Sequence, residues 1–209
     1  MLKLYMGVFS PYARKVRVLL AEKELAAEEV RVNTAEAPGD YASINPNLRI
    51  PALQDGPLTL FESNLILDYL LCTYPDNPKS QPQPPLAPGL YRERQRWADL
   101  TVLVTVETML NSGINVLQMK RSGVEPEQAP YLQKELSRIQ HDLDWLDQRA
   151  GNEGFAPGLF SIQDLNLMCA LQWFDFRHIC TWRGRPHLEA IVKRYEGRPS
   201  IATTAPKEN

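Results

Sequence analysis

The sequence predicts a two-domain chain, an α/β unit followed by an all-helical one. Three observations carry that prediction. Leu2-Lys3-Leu4-Tyr5-Met6-Gly7-Val8 alternates like a strand and runs into an amphipathic helix. Residues 52–54 and 58–61 read as strands on either side of Asp55-Gly56-Pro57, a hairpin turn. A stretch over residues 75–89, with prolines at 75, 78, 82, 84, 85 and 88, then divides the chain, and beyond it only helical patterns occur.

Each element has its own warrant. In the first strand Leu2, Leu4, Met6 and Val8 share a face. Ser10 is placed as an N-cap and Pro11 as the first residue of a helix reaching about residue 23, with Ala13, Val16, Leu19, Leu20 and Lys23 on one side. A second strand is expected over 29–33, where Val30 and Val32 face the same way. After the hairpin, Ser63 is read as the N-cap of a helix over 63–74, with Leu65, Ile66, Tyr69, Leu70 and Thr73 on its stripe. Past the Pro-rich stretch, residues 90–121 carry Trp97, Leu100, Val104, Leu110 and Ile114, with Gly113 as a place for a bend. Residues 131–150 carry Leu132, Leu136, Ile139, Leu143 and Leu146. Ser161 and Asp164 form a capping box that opens a third helix, and residues 186–195 form a fourth, with Leu188, Ile191 and Val192 inward. The tail after Ser200 is expected to pack loosely. The domains are accordingly placed at 1–76 and 90–209, joined by a linker over 77–89.

Composition narrows the class. The 209 residues are 44% hydrophobic and 23% charged, ordinary for a globular chain of one large or two small domains. A net charge of −2 gives no basis for binding nucleic acid or an anionic membrane. The start lacks a long apolar run, and no window approaches a charge-free span of 18 apolar residues, so neither a signal peptide nor a spanning helix is expected. Cys72, Cys169 and Cys180 are unclustered, which suits a reducing compartment, and Cys72 and Cys169 are expected to be buried. His141, His178 and His187 have no metal-ligand spacing. Arg14, Lys15 and Arg17 are read as a solvated face of the first helix.

Two helix starts carry possible chemistry. A serine hydroxyl at the N-terminus of the first helix stands where backbone N–H groups and the helix dipole favour negative charge, a place to hold a thiolate. Its plainer role is to cap the helix. Ser63 and the N–H groups after it are suited to a carboxylate, and Glu62 to an ammonium group; the plainer reading is a capped helix with a solvated glutamate.

Three motifs occur in order: Ser10-Pro11-Tyr12-Ala13-Arg14-Lys15-Val16-Arg17, then Asn45-Pro46-Asn47-Leu48-Arg49-Ile50-Pro51-Ala52-Leu53, then Leu58-Thr59-Leu60-Phe61-Glu62-Ser63-Asn64. This set resembles the glutathione S-transferase superfamily, whose bacterial members often read SPxxRKVR, then NPxGKVPxL, then a Glu-Ser pair opening a helix. The resemblance implies a thioredoxin-like N-terminal domain with an all-α C-terminal domain. It further implies a cytoplasmic homodimer that binds glutathione as co-substrate, without a metal, and activates its thiol for attack on an electrophile. A glutathione-dependent isomerase or peroxidase is a close variant. Carried over residue by residue, Glu62 and Ser63 hold the γ-glutamyl head, Ile50 pairs with the peptide-like middle before a cis-Pro51, and Arg49 lies near the glycyl carboxylate. Ser10 faces the thiol, with Tyr5 as a rival, and Tyr12, Trp97, Thr101, Met109 and Asn115 are candidates to line the second-substrate pocket. Leu48 stands where the common pattern has Gly, which puts the local turn geometry in question. Ser10-Pro11-Tyr12-Ala13 also looks like a dithiol redox motif with both sulfurs replaced, so dithiol redox chemistry is not expected there. The second and third motifs are also similar to the stringent starvation protein A branch, which implies an alternative: a non-enzymatic binding protein acting on RNA polymerase.

Overall fold

Leu2, Leu4 and Met6 are buried and alternate with half-buried Lys3 and Tyr5, which makes β1 (Leu2–Met6) a central strand with one face against a core. The computed structural model describes residues 1–33, 40–74 and 93–207. The chain divides into two compact units, Met1–Gln83 with Pro199–Pro206, and Pro84–Arg198 with Lys207–Asn209. The expected linker lies outside the described residues.

In the first unit, β1 is followed by α1 (Pro11–Glu22), β2 (Ala27–Arg31), α2 (Tyr41–Ile44), β3 (Ala52–Asp55), β4 (Leu58–Phe61) and α3 (Ser63–Thr73). The sheet order is β2-β1-β3-β4, with β1 parallel to β2 and β3 antiparallel to both β1 and β4. This is the thioredoxin-like arrangement. Helices α1 and α3 pack together, burying Val16, Leu19, Leu20, Ile66, Leu67 and Leu70. Tyr69 and Tyr74 both donate to the Asp55 carboxylate, tying α3 to the β3–β4 turn. That shared hydrogen bonding lowers the Asp55 pKa and pushes the Tyr74 hydroxyl up to about 12.

Several expectations shift here. The first strand stops at Met6, so Val8 stands exposed in the following turn. Strand β2 begins at Ala27, two residues before the expected start, because its parallel register against β1 pairs Leu2 with Ala27. Leu65 is exposed and Leu67 takes its place on the buried stripe of α3. Cys72 is exposed at the end of that helix, whereas Cys169 is buried as expected. Arg14 and Lys15 are buried rather than solvated; only Arg17 behaves as a surface cation, pairing with Glu29 at 2.6 Å.

The largest surprise in this unit is its last piece. Helix α8 (Pro199–Thr204) buries Ser200, Ile201 and Thr204 and packs against α1. The tail is therefore a docked element, because Ile201 supplies an apolar anchor and α1 supplies polar partners.

The second unit holds α4 (Glu93–Arg121), α5 (Pro130–Arg149), α6 (Ile162–Arg177) and α7 (Pro186–Tyr195). Helix α4 packs against α5 and α6, and α7 packs against both of those. The inward row of α4 is Val102, Leu103, Val106, Met109, Leu110 and Val116, while Trp97 and Val104 are exposed. The sequence misplaced this face because α4 carries apolar or uncharged residues on nearly all sides, so periodicity alone does not choose among them. For the same reason Arg96–Arg121 is long and apolar enough to cross a membrane on length and composition, which the sequence reading did not register. In the structure that segment is packed against two neighbouring helices.

Gly113 does not break α4, which runs through it from Glu93 to Arg121. It makes room: a Cβ there would lie 2.6 Å from Cε1 of Phe174 and 3.3 Å from Cζ3 of Trp173, both on α6. Gly113→Ala is expected to destabilise the protein by about 1–3 kcal/mol through overpacking, read as a lower urea midpoint at unchanged slope.

Ser161 and Asp164 form the expected capping box. The Asp164 N–H donates to Ser161 Oγ at 3.1 Å, and the Asp164 carboxylate accepts from the Ser161 N–H at 3.0 Å and the Ser161 hydroxyl at 2.6 Å. It also accepts from the Phe155 N–H at 3.1 Å, so the box anchors the preceding loop as well as the helix.

Candidate functional site

Strand register gathers the candidate residues at one end of the first unit's sheet. Tyr5 at the end of β1 pairs with Ala52 at the start of β3, and Ala52 pairs with Phe61 at the end of β4. The chain therefore leaves β1 toward Ser10, enters β3 from Pro51, and leaves β4 toward Glu62 and Ser63, all at that same end. The N-termini of α1 and α3 open there, presenting N–H groups that have no partner within their own helices.

Ser10 is the N-cap of α1. Its Oγ accepts from the Ala13 N–H at 3.2 Å, and its backbone N–H closes the preceding turn on the Gly7 carbonyl at 3.0 Å. The hydroxyl proton is free to point away from the helix while Oγ accepts from Ala13.

The loop before β3 is held by side chains that sequence reasoning missed. The Arg49 carbonyl accepts from the Tyr41 hydroxyl and from Asn45 Nδ2, each at 2.6 Å. Asn45 is almost fully buried, and its Oδ1 accepts from the Asn47 N–H at 2.9 Å. Burial raises the Tyr41 pKa, against a lowering by Asn45, so its hydroxyl remains a donor. The signal available was Asn45-Pro46, an Asx-turn start. Ile50-Pro51 is cis. Leu48 resolves the question of its turn by adopting φ +53°, the left-handed conformation that a glycine takes at lower cost. Among the described residues, no backbone–backbone hydrogen bond engages Ile50. Gly7 brings this loop against the β1–α1 turn: a Cβ on Gly7 would lie 2.5 Å from Ile50 Cδ1.

At α3 the structure corrects one assignment. Glu62, not Ser63, is the N-cap; Ser63 is the first helical residue and is buried. Glu62 adopts φ +74°, a conformation that costs a non-glycine residue about 1–3 kcal/mol and clusters at functional sites.

Tyr5, Tyr12 and Arg49 complete the candidates of the first unit. The Tyr5 hydroxyl donates to Gln54 Oε1 at 3.3 Å, and its ring lies 5.8 Å from that of Tyr41. Tyr12 is half-buried on α1, with Lys15 Nζ 5.3 Å from its ring centroid. Arg49 is exposed. In the second unit Trp97 and Thr101 are exposed, and Asn115 donates to the Tyr131 hydroxyl at 3.0 Å. Met109 is wholly buried in the core row of α4, so it does not line a pocket as expected. Among the described residues no group of His, Cys, Asp and Glu side chains is arranged to hold a metal ion.

A thioredoxin-like unit with a cis-proline loop, two helix N-termini at one sheet end, and a separate helical unit define a glutathione S-transferase fold. Residues 1–71 match the family Glutathione S-transferase, N-terminal domain. A glutathione S-transferase from Methylobacterium radiotolerans, in complex with glutathione sulfonate, superposes with a TM-score of 0.85 at 25% identity, covering 100% of this chain and 96% of that one. A glutathione S-transferase from Methylobacillus flagellatus with glutathione bound gives 0.83 at 26% identity, covering 99% and 100%. A stringent starvation protein A homolog from Haemophilus ducreyi is 34% identical over 98 residues, 44% of this chain and 45% of that protein. This chain thus spans less than half the length of that relative. Residues 1–71 belong to the glutathione S-transferase N-terminal domain family, and the whole chain has the fold of glutathione S-transferases.

Proposed function

We propose that this protein is a glutathione transferase in which the first unit binds glutathione and activates its thiol. The observation that carries the reading is the convergence of Ser10, the cis-Pro51 loop and the Glu62-Ser63 helix start at one end of the sheet. Ser63 and the first N–H groups of α3 receive the γ-glutamyl carboxylate, and Glu62 its ammonium group. The Ile50 backbone adds the peptide middle as a short strand, and Arg49 meets the glycyl carboxylate. The Ser10 hydroxyl and the α1 N-terminus face the sulfur. A free thiol of pKa about 8.5 is roughly 3% thiolate at pH 7, and lowering that pKa by ~2 units corresponds to ~2.7 kcal/mol. A hydroxyl donor together with a helix N-terminus acts in that direction. The thiolate then attacks an electrophilic carbon, and the new carbon–sulfur bond forms as a leaving group departs with its bonding pair or, in an addition, as the π pair shifts to the next atom, which takes a proton from solvent. Tyr12 is the first unit's candidate for contact with that second substrate. The proposal includes a homodimer in the cytoplasm, with no metal, nucleic acid or membrane required.

Calorimetric titration with glutathione tests the reading. Ser63→Ala is expected to weaken binding about tenfold or more, as loss of a hydrogen bond to a charged group does, while Ser10→Ala retains most of the affinity. Absence of heat at millimolar glutathione would overturn the transferase reading. It would favour the alternative, a partner-binding protein acting on RNA polymerase, to which the likeness to the stringent starvation protein A homolog lends support.

A further inference from the structure

We infer that the C-terminal helix α8 is a working part of the site-bearing unit, and that Arg14, which fastens it, is a positioning residue for Ser10. The inference rests on the transferase reading above.

Arg14 has contacts in both directions. Its backbone N–H donates to the Ser10 carbonyl at 3.0 Å, the first hydrogen bond of α1 and the one that fixes the Ser10 backbone. Its side chain, only 3% exposed, reaches α8: Nε donates to Thr204 Oγ1 at 3.3 Å, and Nη2 donates to the Ile201 carbonyl at 3.0 Å. Ile201 O is among the last carbonyls of α8, which have no backbone partner inside their own helix; its contact within α8 is a long one, from the Thr204 hydroxyl at 3.4 Å. A guanidinium there satisfies an orphan acceptor and matches the negative end of the helix dipole. Thr204 is set for its part, since its hydroxyl donates to the Ser200 carbonyl at 2.7 Å and leaves a lone pair for Arg14.

The other end of α1 is fastened too. The Ser200 hydroxyl donates to the Glu22 carboxylate, and Ile201 is wholly buried between these two ties. Six residues are too few to hold a helix on their own, so α8 exists because α1 holds it. The dependence is reciprocal. Without α8, the buried Arg14 guanidinium loses the Ile201 and Thr204 acceptors that fix its direction, and the first turn of α1 that carries it is held less firmly. The turn that moves is the one whose cap is Ser10. Gly7 and Ile50 meet closely beside it, so a shift there also reaches the cis-Pro51 loop.

Arg14→Met keeps the length of the stem and removes the donors; Thr204→Val removes one acceptor and leaves Arg14 in place. Two readouts are made on the full chain. The first is amide hydrogen exchange without ligand, at Ala13, Arg14 and residues 199–204. The second is the pH profile of glutathione turnover, with the apparent thiol pKa followed by thiolate absorbance. Arg14→Met is expected to speed exchange at both places together, and to raise the bound thiol pKa so that kcat at neutral pH falls about tenfold and recovers at alkaline pH with KM little changed. Thr204→Val is expected to move both readouts the same way by less, and it carries the test if Arg14→Met does not fold. Faster exchange over 199–204 with unchanged exchange at Ala13 and Arg14 and an unchanged pH profile would overturn the inference. A parent protein that binds no glutathione would instead defeat the transferase reading, and the exchange data alone would then decide whether α8 steadies the α1 N-terminus.

Discussion

Asp164→Ala is expected to cost about 3–5 kcal/mol of stability, the largest effect among single substitutions considered for this chain. The carboxylate is buried and accepts from three donors, two belonging to Ser161 and one to Phe155. Truncation removes the reciprocal half of the capping box and strands the Ser161 and Phe155 N–H groups. Each unsatisfied buried donor costs about 1–3 kcal/mol. Gly154 has nothing to fill the space, since it is fixed at φ +104° and a Cβ on it would already lie 2.6 Å from Asp164 Oδ1. Urea unfolding of the two proteins measures the difference; a loss below 1 kcal/mol would mean that water or the 151–160 loop replaces the carboxylate.

The same group gives a pH signature. Burial pushes the Asp164 carboxyl up to about 6, against lowering by the Ser161 and Phe155 donors and by Arg194. The folded state therefore holds this proton more tightly than the unfolded chain, whose aspartates titrate near 3.9. The stabilisation tied to that proton is fully present below the unfolded value and is lost as pH rises through about 6. Across that window it amounts to roughly 3 kcal/mol. Asp164→Asn removes the titration, so the stability of the parent relative to the Asn variant should fall between pH 4 and pH 7. A flat difference would show that the three donors hold the carboxylate ionised.

Ser10→Ala is expected to lower kcat/KM at neutral pH by about 10²-fold, with glutathione affinity largely kept. The loss should shrink as pH rises past the thiol's free pKa, because hydroxide then supplies the thiolate that the hydroxyl no longer favours. The cap itself contributes about 1 kcal/mol to α1, so a modest fall in thermal stability accompanies the kinetic change. Ser10→Thr keeps a hydroxyl and a cap and should recover much of both. If Ser10→Ala left the pH profile unmoved, Tyr5 would become the next residue to replace.

The fold was legible wherever a local rule acts alone. Ser10 and Pro11 at a helix start, Asp55-Gly56 at a hairpin and Ser161 with Asp164 each announce one structure, and each is found there. The thioredoxin-like order followed from the motif set, and the cis bond at Pro51 followed with it. Reading failed where tertiary partners decide. Arg14 and Lys15 look like surface cations until α8 and Tyr12 are in place. Ser63 looks like a cap because serine usually is one, yet Glu62 takes the strained position. On α4 the stretch from Leu100 to Met119 carries a single charge, Glu107, so its pattern did not single out the row that faces inward, where Met109 lies. Tyr41 and Asn45 left only a faint trace in sequence, because their role is to grip a carbonyl that no side-chain pattern reveals.

The attachment of α8 to α1 also sets a schedule for the protein's birth. Arg14 and Thr204 stand 190 positions apart, yet they are hydrogen-bonded within one unit. At translation rates of roughly 5–20 residues per second, the stretch from the end of α3 to α8 takes on the order of ten seconds to make. During that interval the unit that emerges first must wait without its last helix, with the surface that will receive Ile201 still bare. Of the two units it is begun first and completed second, so a change that disturbs α8 burdens the half of the molecule that is made earlier rather than the half made later.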